Sequence, residues 1–479
     1  MSVNDFLEEL SKKNIPLHGF ILWQNGEIRS SGSCPQTPIH EQHRMFSISK
    51  SVTAIAIGLL ISDGVNIDSQ ICRSFIDKYP RGEEPDSRIR SMTIKDLLMM
   101  RTAHSFTTYK VDPSDYTGSF FTVRPVKDPG TLWAYDTSAA HVLAAFVQRT
   151  GSKKLLDYLR DTLPELKLSK DAYFINDPQG SPMGGTGLVC TGDDILSLSI
   201  LLYDANVLPD NDFASKYKSL EKERALKFKN YLMTATSCLS PTASNASGRF
   251  DSFGYGYMIW RTDHNGFMLY GMGGQFAAIY PDKKTIFITT ADTQGLGGAN
   301  DMIFDAFYRH IFGTEQPVTK DSFTLSLPLP PGKGGDIRDC SFELSENSLG
   351  FTSISFDMKG EEMMIHMKGL GPERAFEPVL ESPYLSGDLG SVKKEYTLTC
   401  GLGTYSPFTF AGYNLSCYGT AMWQDKNILL IRILILDEYM GSITMTAHFS
   451  EDFERINVFL KKTEESLFWD FSGYLTGTV

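Results

Sequence analysis

The sequence predicts an α/β fold in which an antiparallel sheet is flanked by helices and split by a helical insertion, with a smaller antiparallel all-β domain after it. Three observations predict this. Strand signals stand at both ends of residues 1–315, with helical periodicity between them. A Pro/Gly-rich stretch occupies 316–335. Short strand signals then recur through 336–479.

In the first segment, Gly19-Phe-Ile-Leu-Trp runs into Gln24-Asn-Gly-Glu27, and Asn-Gly is a strong hairpin turn. An apolar run from Ser51 to Ile61 predicts a helix that ends near Asp63-Gly64. Residues 92–210 read as mainly helical: a capped helix at Thr93–Met100, one at Ser138–Gly151 stopped by glycine, and one from Asp193. Strand character returns at 253–292, in Tyr255–Trp260, Gly266–Tyr270, Phe276–Tyr280 and Thr285–Thr290, and a helix from Asp301 closes the domain. Pro317 and Ser326-Leu-Pro-Leu-Pro-Pro-Gly-Lys-Gly-Gly335 have linker composition. The strand spacing over 336–479 fits a β-sandwich or barrel.

The chain has 479 residues, enough for two or three cores. Its 42% hydrophobic and 21% charged content is that of a soluble globular protein. A net charge of −12, with no basic stripe, argues against nucleic acid as partner. The acidic start, Met1-Ser-Val-Asn-Asp-Phe-Leu-Glu-Glu-Leu, lacks the basic and apolar regions of a secretory signal. No apolar run reaches the length of a membrane span. Seven scattered cysteines without C-x-x-C suit reduced thiols, and the expected location is cytoplasmic. The nine histidines form no metal-ligand pattern, so no metal or other cofactor is expected.

The chemistry begins at Ser47-Ile-Ser-Lys50. Residues three apart share a helical face, so the Lys50 amine can reach the Ser47 hydroxyl. A serine hydroxyl becomes a good nucleophile only when a neighbouring base takes its proton. The same spacing occurs at Ser215–Lys218, Ser219–Lys222 and Ser391–Lys394, in stretches that read as solvated. There a lysine stays protonated. Only Lys50 opens an apolar helix that can desolvate its amine. The plain alternative for Ser47 is a helix N-cap.

Two further segments carry polar or flexible groups. Tyr135 lies in Pro129-Gly-Thr-Leu-Trp-Ala-Tyr-Asp-Thr137, just before the helix near Ser138, where a phenol beside an ammonium can shuttle a proton. Its alternative is a half-buried loop aromatic. Tyr270-Gly-Met-Gly-Gly-Gln275 sets three glycines between two strands. Such an edge can bring an amide N–H to a developing oxyanion. Its alternative is a plain turn.

In order and context these segments resemble the serine β-lactamase and penicillin-binding-protein superfamily, over roughly residues 15–315. Phe46-Ser-Ile-Ser-Lys-Ser51 is similar to its nucleophile helix, and Thr93–His104 to the helix and turn that follow. Pro129…Tyr135 is similar to its tyrosine motif, Pro178-Gln-Gly-Ser-Pro-Met-Gly-Gly-Thr-Gly-Leu to its glycine-rich segment. Phe253–Trp260 and Gly271-Met-Gly-Gly-Gln275 are similar to its closing sheet. Two departures stand out. Thr137 replaces the asparagine of Tyr-x-Asn, and Met272 stands where the basic residue of the third motif belongs. Lys333-Gly-Gly lies in the linker and is a decoy.

The resemblance implies a serine hydrolase of the class C-like esterase and amidase branch, acting on a small ester, amide or short peptide. Ser47 would be acylated, and Lys50 and Tyr135 would share the acid–base work. Met272, Gly273 and Gly274 would supply oxyanion and substrate contacts, with Thr137 beside them. Losing the third-motif cation moves the expectation away from β-lactam or peptide carboxylates. The rivals are a catalytically inactive binding or sensor protein of this fold, and a D-amino-acid peptidase or β-lactamase.

Overall fold

The computed structural model describes residues 2–79, 84–242, 248–319, 322–335, 337–370, 393–410, 414–463 and 471–479. It divides into two compact units, Met1–Ser326 and Leu327–Val479.

In the first unit the chain enters through α1 (Val3–Lys12). The hairpin β1 (Leu17–Gln24) and β2 (Glu27–Ser33) follows. It turns at Asn25 and Gly26, with φ of 54° and 97°, the left-handed pair that Asn-Gly adopts readily. Next come α2 (Ile48–Ser62), α3 (Ile94–Leu98) and α4 (Thr137–Gly151). Then α5 (Gly192–Val207) and α6 (Lys222–Ala235) complete the insertion. The chain returns to the sheet through β3 (Trp260–Arg261), β4 (Phe267–Gly271), β5 (Gln275–Tyr280) and β6 (Thr285–Ala291). It ends with α7 (Ala299–His310) and β7 (Phe323–Thr324).

The strand order is β7-β2-β1-β6-β5-β4-β3. All neighbours are antiparallel except β7, which pairs in parallel with Gly32 and Ser33. Every residue of β1 is buried, because helices cover both faces. On one face Phe287 meets Phe6 of α1 and Phe307 of α7, at ring-centroid distances of 5.5 and 4.4 Å. On the other, Trp23 packs edge-on against Tyr203 of α5 at 5.1 Å.

Helix α2 is buried almost all round; from Ala54 to Ile61 it is apolar on every face, and the polar residues of its first two turns are buried with hydrogen-bond partners. Gly58 admits Tyr231 of α6: a Cβ there would lie 2.4 Å from the ring. The Tyr231 hydroxyl then donates to Ala54 O at 2.9 Å.

One predicted strand is shorter than its sequence suggests. Of Tyr255–Trp260, only Trp260 joins the ladder, while Tyr255 makes isolated bridges to Ser240 and Trp260. Positive φ at Gly254 (118°) and Met258 (56°) turns the backbone out of strand geometry. Helix α4 also starts earlier than Ser138, because Asp136 caps it by accepting from Ser138 N.

The second unit is all-β. Among the described residues, ten strands follow one another from Cys340–Leu344 to Gly473–Thr478, with antiparallel neighbours. A parallel pairing of Gly401 and Leu402 with Thr420 and Ala421 joins the far strands, so the sheet closes as a barrel. Its alternation is visible in Arg455–Thr463, where Ile456, Val458 and Leu460 point inward. Among the described residues, no helix is long and apolar enough to cross a membrane.

Candidate active site

The chain reaches Ser47 from the short strand His43–Phe46, which pairs with Leu188–Cys190. Phe46 has φ +45°, a sparsely populated conformation for a bulky residue, and it turns the strand directly into α2. Ser47 occupies the cap position, but its side chain makes no capping hydrogen bond. Lys50 Nζ donates to Ser47 Oγ at 2.8 Å instead. The geometry therefore departs from the N-cap alternative. Around it, Ser49 Oγ accepts from Leu188 N at 2.9 Å, and Ser51 Oγ donates to Met258 O at 2.6 Å.

Lys50 is only 1% exposed. Its amine also donates to Gly185 O at 2.6 Å and lies 4.7 Å from the centroid of the Tyr135 ring. Tyr135 is half-buried and stacks on Trp260, centroids 5.6 Å apart. Its loop is tied down by Ala134 N donating to Met100 O at 2.9 Å and Gly130 N to Arg101 O at 2.8 Å. The next residue, Asp136, is fully buried; desolvation pushes its carboxyl up to about 6, against bonds from Ser138 and Thr102.

Gly185 lies against the start of α4, where a Cβ would come within 2.6 Å of Thr137 Cγ2 and O. Thr137 thus enters the site through the backbone that holds Lys50. Thr53 Oγ1 holds the neighbouring Gly184 O at 2.9 Å. Upstream, buried Asp177 ties the segment. Its Oδ1 accepts from Gln179 N (3.0 Å) and Ser181 N (2.7 Å), and its Oδ2 lies 2.9 Å from His141 Nε2.

The glycine turn between β4 and β5 follows the strand residue Gly271. Gly271 approaches the chain before Ser47 so closely that a Cβ would lie 2.2 Å from Met45 O. Met272 is half-exposed, and Gly273 and Gly274 have φ of 81° and 89°. Structure thus gathers Ser47, Lys50 and Tyr135 around one amine, brings Thr137 in through Gly185, and sets the Met272–Gly274 turn beside the strand that leads to Ser47.

The other Ser–Lys spacings lie elsewhere. Ser215 is exposed on the helix Asp210–Lys216, and Ser219 Oγ donates to Glu165 at 2.7 Å. Ser391 lies outside the described residues. Residue type alone gives no role to Gly185, Asp177 or His141. The glycine-rich segment from Pro178 is the signal in the sequence that points to Gly185. Among the described residues, no cluster of His, Cys, Asp and Glu could hold a metal ion.

The family model for Beta-lactamase matches residues 3–306. The chain belongs to the beta-lactamase family, whose members are serine hydrolases. No curated protein sequence matches it. Among solved structures it is similar to a candidate beta-lactamase of Bacteroides dorei DSM 17855, at 14% identity and a TM-score of 0.50, covering 64% of this chain and 97% of that one. A candidate 6-aminohexanoate-dimer hydrolase of Bacillus anthracis is 15% identical, with a TM-score of 0.49 over 63% of this chain and 80% of that one. An octameric penicillin-binding protein homologue of Pyrococcus abyssi is 13% identical, with a TM-score of 0.48 over 99% of this chain and 100% of that one.

Proposed function

We propose that this beta-lactamase family member hydrolyses a small ester or amide through an acyl-enzyme on Ser47. The observation that carries the reading is the 2.8 Å contact between Ser47 Oγ and the buried Lys50 amine. A neutral Lys50 takes the hydroxyl proton as Oγ attacks the carbonyl carbon. Burial assists, because an amine stripped of water resists carrying charge. Tyr135, stacked over the amine, shares the proton transfers and passes a proton to the leaving group. Amide N–H groups of Ser47 and of the Met272–Gly274 turn bind the oxygen as it becomes negative. Water then attacks the acyl carbonyl, the acid departs, and Ser47 Oγ regains its proton.

The third motif offers no side-chain cation, since Met272 fills that place. This favours neutral acyl groups over the carboxylates of β-lactams and peptides. The test is labelling with a fluorophosphonate and location of the adduct by mass spectrometry. The expected adduct is on Ser47 and disappears in Ser47→Ala. An adduct on another serine, or none with any ester or amide probe, overturns the reading.

A further inference from the structure

We infer that Gln275 is a positioning residue: its buried carboxamide holds the Met272–Gly274 turn so that the turn's amides face the carbonyl attacked by Ser47. This rests on the acyl-enzyme reading above.

The turn has an inherent weakness. Gly273 and Gly274 both have positive φ, and neither has a side chain to pack. Glycine visits many backbone conformations at little cost, so such a turn can flip its peptides unless something holds them. Its carbonyls are the available handles, and all three are held. Gln275 Nε2 donates to Met272 O at 2.9 Å. Thr293 N donates to Gly273 O at 3.0 Å, and Thr289 Oγ1 to Gly274 O at 2.9 Å. A trans peptide points its N–H opposite its C=O. Fixing Met272 O therefore fixes the plane of the Met272–Gly273 peptide and the direction of its N–H.

Gln275 can do this because it is itself immobile. It is fully buried at the start of β5. The same Nε2 donates to Ala291 O at 2.8 Å, and Oε1 accepts from Ala291 N at 3.1 Å. Both amide hydrogens and the oxygen are engaged, which locks the side chain between the turn and β6. The clamp thus refers the turn to the centre of the sheet.

A merely structural Gln275 would end the β5–β6 ladder and affect stability alone. The full-length chain separates the two roles through Gln275→Met, which keeps length but has no donors, and Gln275→Glu, which keeps an acceptor for Ala291 N but loses both donors at neutral pH. Folding is followed by circular dichroism, turnover with 4-nitrophenyl acetate, and tetrahedral-adduct binding with phenylboronic acid. The expected result is folded variants with kcat lower by about a hundredfold or more and KM within about threefold of wild type. Phenylboronic acid affinity should fall alongside kcat. Folded variants with wild-type kcat and boronic acid affinity overturn the inference. So does a loss of activity that only tracks the folded fraction, or failure of both variants to fold. If the wild-type protein neither turns over esters nor labels at Ser47, the acyl-enzyme reading falls, and this inference with it.

Discussion

Lys50 Nζ donates to Ser47 Oγ at 2.8 Å across one turn of α2, and its second acceptor, Gly185 O, comes from a segment far away in the chain. The amine is thus held from separate parts of the chain, and Lys50 is buried. The pair at the same spacing, Ser215 and Lys218, is exposed at both residues, and Lys218 lies past the end of the helix that carries Ser215. On the acyl-enzyme proposal, reactivity is a property of where the pair is buried, more than of the pair itself.

Lys50→Arg should be as damaging as Lys50→Ala. Guanidinium stays protonated at any working pH, and its planar fork does not fit the two acceptors that a lysine amine reaches. Each variant should lose about a hundredfold to ten-thousandfold in kcat/KM for 4-nitrophenyl acetate. Steady-state rates between pH 6 and 9 check this. Substantial activity in Lys50→Arg near neutrality would rule out a lysine base.

Acid should destabilise the first unit through His18 and His43. His18 Nδ1 lies 3.2 Å from His43 Nε2, and His43 Nδ1 lies 2.9 Å from Arg44 O. Burial holds His43 down to about 4 and His18 well below the usual imidazole value of 6.5. The unfolded chain therefore binds more protons between about pH 6.5 and 4. Stability is full above that window and declines as pH falls through it, by at most about 3 kcal/mol from His43. Asp136 opposes this, since its carboxyl is pushed up to about 6 and its folded form favours the proton. The readout is thus a difference between variants. Urea midpoints of His18→Leu/His43→Leu should fall less between pH 7 and 5 than those of wild type, although the variant is weaker at pH 7. Equal slopes would dismiss the pair.

How much could be read from the chain alone follows from where each signal resides. The Asn25-Gly26 hairpin and the span of α2 were legible because their signals are local: a turn that demands positive φ, and an apolar run ended by Asp63-Gly64. The contact between Ser47 and Lys50 was legible because three residues span about one helical turn. The Gly185 carbonyl was not, since a backbone acceptor leaves no mark on the residue type. His141 and Asp177 meet across 36 residues, and only packing joins them. Tyr255–Trp260 has the aromatic composition of a strand, yet two positive-φ residues bend it away. Barrel closure rests on a parallel pairing of two residues per strand, too short for any periodicity to show.

Limited proteolysis should separate the two units. Phe323 and Thr324 are paired to β2, and Lys333 is bridged to Trp423 within the second unit. Between them lies a stretch with no assigned helix or strand, rich in proline and glycine. Cleavage at about residues 325–335 should leave two fragments that stay folded, each identified by mass spectrometry and circular dichroism. Loss of both halves together, with no stable fragment, would mean that they form one cooperative unit.

Met272 provides the sharpest test of the third segment. If the turn acts through its backbone, the side chain is free to vary. Met272→Leu conserves volume and apolarity and should change ester turnover by less than about threefold. Gly273→Val should cost about a hundredfold or more, because Gly273 has φ +81° and a β-branched residue resists that conformation. The added Cβ would also sit 3.1 Å from Gln275 Nε2 and press on the clamp. Met272→Lys places an ammonium where neutral thioether now stands. It should raise kcat/KM for a carboxylated ester relative to a neutral ester with the same leaving group, by up to about fivefold for one partly exposed charge pair. The measurement is that ratio in wild type and variant. An unchanged ratio together with a harmless Gly273→Val would make the segment a plain turn, and the oxyanion donors would have to be sought elsewhere around Ser47.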